Sequence, residues 1–83
     1  MNPNDIFWLA RYAHNQLTPL MEPLGADLKL NLNFGGPFPG LDIWTHHADS
    51  AKSKLLPYKL VANSQIEIEE FATKLRLLAS ATA

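Results

Sequence analysis

His46 and His47 stand side by side, with Asp42 and Asp49 close in the chain and His14 further off, and these are side-chain types that bind divalent metals. Neighbouring residues of a strand point to opposite faces, so the two imidazoles cannot share an ion if residues 41–47 are extended. Asp42 and His46 share a face, but four residues of strand separate them by about 13 Å, too far for common coordination. No metal is expected, and a metal-dependent hydrolase around His46 is only the third of three functional readings. Nucleophilic catalysis has no better footing. The chain has no cysteine, no Gly-Xaa-Ser-Xaa-Gly elbow and no His-Glu-Xaa-Xaa-His, and Gly35-Gly36 opens onto Pro37 and not onto the helix that cradles a phosphate. Glu67, Glu69 and Glu70 read as a solvated helix face plus a cap. Neither an enzyme nor a cofactor is expected.

Aromatic side chains offer a different chemistry, that of adhesion. Trp44 falls between Asp42 and His46 on the face of a strand that is otherwise polar, with Asn31 expected opposite and Asn33 and Lys29 to either side. One large ring among hydrogen-bonding groups suits a partner peptide, a sugar or a base. Phe38 sits between Pro37 and Pro39, and an apolar group in a pre-stiffened loop loses little entropy on insertion into a partner's pocket. Trp8 lies about 200° round a helix from Ile6, away from the core stripe, with Tyr12 one turn later. Ile66 and Leu77 fall about 160° and 180° from Ile68, a sparse second stripe that a symmetric dimer would bury.

The elements that must position these groups are legible from period and caps. Asn2 can cap a helix that Pro3 begins, and the spacing of Ile6, Leu9, Ala10, Ala13 and Leu17 predicts a helix over about 3–17 with one apolar side. Pro19 predicts a break there, followed by a short turn over 19–24 ending at Gly25. From Leu28 the period becomes two, which predicts strands over about 28–34 and 41–47 joined by the loop Gly35–Gly40. Closing that loop symmetrically sets Phe34 opposite Leu41, Leu32 opposite Ile43 and Leu30 opposite Thr45. Residues 48–54 read as a surface connection, and Leu56, Tyr58, Leu60 and Ala62 as the inward face of a third strand, about 56–62. Ser64-Gln65-Ile66-Glu67 is a capping box. It starts a helix over about 65–80, whose inward stripe is Ile68, Phe71, Ala72, Leu75, Leu78 and Ala79, before a fraying ASATA tail.

The expected fold class is α+β: one domain spanning 1–83, helix-strand-strand-strand-helix, with a three-stranded antiparallel sheet and both helices on one face. That order is also found in double-stranded-RNA-binding domains, a likeness of topology without a motif. The lysine-rich helix start that grips phosphate in those domains is matched here by Gln65-Ile66-Glu67-Ile68-Glu69-Glu70.

Eighty-three residues with 47% apolar and only 18% charged content make one small core and not a disordered tail. A net charge of -1 supplies no general pull toward nucleic acid, and the cluster Lys52, Lys54 and Lys59, offset by Asp49, adds little. No apolar run is long enough to span a bilayer, and the start MNPNDIFWLARYAHN lacks the form of a signal peptide, which points to the cytoplasm. The function expected is that of a non-enzymatic protein-protein interaction module, a small inhibitor or adaptor of the accessory kind that phages and mobile elements carry. It would be a homodimer, with Phe38, Trp44, Trp8, Tyr12, His46 and Asp42 meeting a partner protein and Ile66 and Leu77 meeting a second copy. The alternative is a binder of nucleic acid or a small polar ligand on the sheet face around Trp44.

Overall fold

A computed structural model describes residues 3–82, and the side chains of residues 4–81. Asn2, expected as a helix cap, lies outside the described residues. The chain runs α1 (Pro3–Leu24), β1 (Ala26–Asn33), β2 (Gly40–His47), α2 (Ser50–Ser53), β3 (Lys59–Ala62) and α3 (Gln65–Thr82). The fold is α+β: an open antiparallel sheet of order β1-β2-β3 with the long helices packed against it.

α1 differs from the expected helix over 3–17 plus a turn over 19–24. It continues unbroken through Pro19 to Leu24. The reason lies in its buried residues: Ile6, Leu9, Ala13, Leu17 and Met21 hold one phase across Pro19. Burying Met21 behind Leu17 requires the same helical path. Tertiary packing thus overrides a local cost of about 3 kcal/mol for an interior proline. Gly25 ends the helix with φ at 62°, a conformation other residues adopt at a cost, and its N–H donates to the Glu22 carbonyl at 3.1 Å.

The β1–β2 hairpin keeps the expected faces but is displaced by two in register. Leu32 pairs with Leu41, Leu30 with Ile43 and Leu28 with Thr45. A shift of two preserves which side each residue faces, whereas a shift of one would turn every leucine to solvent. The loop is residues 34–39, and Gly40 belongs to β2, where it is buried. Phe34 leaves the strand and stays exposed, its ring 5.3 Å from that of Phe7.

The third strand departs furthest from expectation. β3 spans only Lys59–Ala62, and it carries an irregularity: Leu41 pairs with Ala62 but Ile43 with Lys59, so three steps on β3 face two on β2. Val61 takes up the extra residue at φ 57°, a strained angle for a β-branched side chain. Alternation therefore fails upstream of Ala62. Tyr58 and Leu60, read from the sequence as inward, are 62% and 47% exposed. The 48–54 connection holds one helical turn, α2, capped by Asp49, whose carboxylate accepts from the Ala51 and Lys52 N–H groups.

α3 starts at its capping box, with the Glu67 N–H donating to Ser64 Oγ at 3.3 Å. The Glu67 carboxylate reaches one residue further back than expected, accepting from the Asn63 N–H at 2.6 Å. The helix runs through Thr82, two residues past the expected end. Its Ile68, Phe71, Ala72 and Leu75 close the core over Leu41, Ile43 and Ala62, with α1 alongside. The β1 leucines 28, 30 and 32 are half-buried at the sheet's edge.

Candidate functional site

β2 is the central strand, so its outward residues occupy the middle of the face that the long helices leave uncovered. Trp44 stands there and is 40% exposed. Its cross-strand partner is Lys29, where the expected register placed Asn31. Tyr58 lies against the indole from the other side, with ring centroids 5.3 Å apart and planes within 13°. This pairing has no signal in the sequence, because the alternation that predicts an inward Tyr58 is broken by the β3 irregularity.

The segment carrying Tyr58 is fastened to β2 by polar contacts. Thr45 Oγ1 donates to the Pro57 carbonyl at 2.7 Å, and the His47 N–H donates to Ser53 Oγ at 3.2 Å. Ser53 Oγ also lies 3.3 Å from His46 Nδ1. Between this strap and the sheet runs an open groove of about 650 Å³ lined by Lys29, Trp44, His46, Ser53, Lys54 and Tyr58, among others. No carboxylate lines it.

The expected partner-binding residues do not form one patch. Asp42 is a fastening group: its carboxylate accepts from Asn31 Nδ2 at 3.2 Å and from the Val61 N–H at 3.1 Å, holding the strained residue of β3. Tyr12 is likewise structural. It is half-buried against the core, and its hydroxyl donates to Glu69 Oε1 at 2.9 Å while accepting from Gln65 Nε2, tying α1 to α3. Partial burial, then the Glu69 carboxylate it donates to, hold its phenol above the ordinary range. Trp8 stacks on Tyr12 at 5.4 Å and remains 54% exposed. Phe38 is 71% exposed at the hairpin tip, next to Val61 and Asn63. Ile66 and Leu77 are exposed on α3. His46 and His47 engage different partners, the latter accepting at Nδ1 from the Asp49 N–H at 2.9 Å, and among the described residues no group of metal-binding side chains converges.

Taken together these features define a class: a small cysteine-free α+β domain with three antiparallel strands backed by two long helices and an aromatic groove on the open sheet face. Compared with protein-family models, with curated proteins and with solved structures, the chain matches none. Among the described residues, no helix is long and apolar enough to cross a membrane.

Proposed function

We propose that this chain is a non-enzymatic interaction module, an inhibitor or adaptor that occupies a partner protein's surface through aromatic anchors, with Phe38 foremost and Trp44 and Trp8 beside it. One observation supports the reading: the core closes without them. Leu9, Leu17, Leu41, Ile43, Ile68 and Leu75 are at most 2% exposed, while Phe38, Trp8 and Trp44 stand 71%, 54% and 40% exposed. Surplus aromatic surface of this kind is what interfaces use. Phe38→Ala is expected to leave the melting temperature unchanged and weaken partner capture by about tenfold or more, the usual loss for a central aromatic anchor. Equal capture by Phe38→Ala, Trp44→Ala and Trp8→Ala would reject the anchor reading.

Self-association belongs to the same proposal and rests on the exposure of Ile66 and Leu77, 65% and 67%. Leu77→Lys should convert a dimer to a monomer in sedimentation without loss of helix content. A wild-type chain that sediments as a monomer at high concentration would remove this part.

A second reading has its own support. The groove beside Trp44 combines ring surface with cationic and hydroxyl groups, which suits a small polar ligand.

A further inference from the structure

We infer that the groove between the outer sheet face and the 53–58 strap is a nucleotide site, taking one nucleoside monophosphate with its base against the Trp44–Tyr58 pair and its phosphate among Lys29, His46 and Lys54. The inference rests on the reading that this groove holds a polar ligand, and it gives that ligand a chemical class.

The charge of the lining comes first. In a chain of net charge -1, the groove's lining holds two lysines and a histidine and no carboxylate, with Asp27, across from His46, just outside it. It therefore selects an anion. The ring surface selects further: the indole and phenol lie nearly parallel and both remain accessible, a platform on which a flat base stacks. The volume, about 650 Å³, is that of a small-molecule site.

Spacing along β2 joins the two halves. His46 is two residues from Trp44 on the same face, about 7 Å along a strand. That is the separation a ribose places between a base and its phosphate. Ser53 Oγ lies 3.3 Å from His46 Nδ1, which leaves Nε2 as the ring nitrogen offered to a phosphate oxygen.

A free nucleotide fits better than a nucleic-acid strand. Asp27 is the cross-strand partner of His46, and Asp42 lies two residues from Trp44 on the other side. Asp27 therefore flanks the phosphate end and Asp42 the base end, so the basic stretch is one phosphate long, whereas single-strand binding needs a continuous basic track.

The test uses the full chain with Trp8→Phe, so that Trp44 is the sole indole. Adenosine monophosphate is expected to quench its fluorescence saturably. In the Lys29→Ala/Lys54→Ala variant, which alters only exposed side chains, the dissociation constant should rise about tenfold or more. Adenosine or inorganic phosphate binding as tightly as the monophosphate would overturn the nucleotide assignment while leaving a polar-ligand groove in place. So would oligo(dA) displacing the monophosphate at lower nucleotide concentration. No response to any of the four probes at millimolar concentration would overturn both.

Discussion

Leu17→Ala is expected to cost about 2–5 kcal/mol of folding stability, a large fraction of what a domain of this size possesses. Leu17 is fully buried in α1, midway between Ala13 and Met21 and two residues before Pro19. Truncation there leaves a cavity among side chains that relax only partly, which sets the general magnitude. Position sets the particular consequence. Beyond Thr18 the helix carries Pro19 and Pro23, each without an N–H, so its last turns depend on the packing of Leu17, Leu20, Met21 and Leu24 more than on their own hydrogen bonds. Amide exchange at residues 20–22 should accelerate beyond the global loss. Leu75→Ala, at an equally buried site in α3, should cost a similar amount without singling out that segment. Proportionate exchange in both variants would show that the end of α1 is held some other way.

That helix marks a boundary of what sequence reasoning can reach. Fold class, element order and nearly every core residue follow from period and caps, because apolar spacing reports which side of an element is buried. The continuity of α1 also has a signal, since Leu17 and Met21 are one turn apart, but it competes with a proline penalty that is strong locally and weak against a core. Register shows the converse. Period two fixes faces and not the pairing partner, so it sets Trp44 on the correct side but predicts Asn31 opposite it where Lys29 stands.

The candidate site was legible only in half. Trp44 and His46 announce themselves as odd residues on a polar face. Lys29 follows them as a flanking group on β1, but Tyr58, Ser53 and Lys54 do not, because their nearness depends on how the 48–58 segment folds back, and that is decided by long-range contacts such as Thr45 to Pro57 and His47 to Ser53. The irregularity of β3 is hidden for the same reason. Asp42 holds Val61 across nineteen positions of sequence, and no local propensity points to such a bond.

Gly40→Ala is expected to cost about 1–3 kcal/mol, and Gly40→Val more, because Gly40 supplies space that nothing can vacate cheaply. A Cβ there would lie 2.9 Å from the Ala62 carbonyl oxygen and 3.0 and 3.1 Å from the Val61 carbonyl carbon and Cα. All three are backbone atoms, so no rotamer change relieves the contact. β3 must retreat instead. Retreat uncovers Ala62, which is fully buried opposite Leu41, and stretches the Asp42–Val61 bond that stabilises a left-handed valine. Tyr58 lies directly before β3, so the same movement should loosen its stack on Trp44. Urea unfolding should show the stability loss. In a Trp8→Phe background the emission of Trp44 should shift before global unfolding begins. A Gly40→Ala chain with unchanged stability and unchanged Trp44 emission would mean that β3 is free to move, and that the pocket wall carrying Tyr58 is not braced by β2 through this contact.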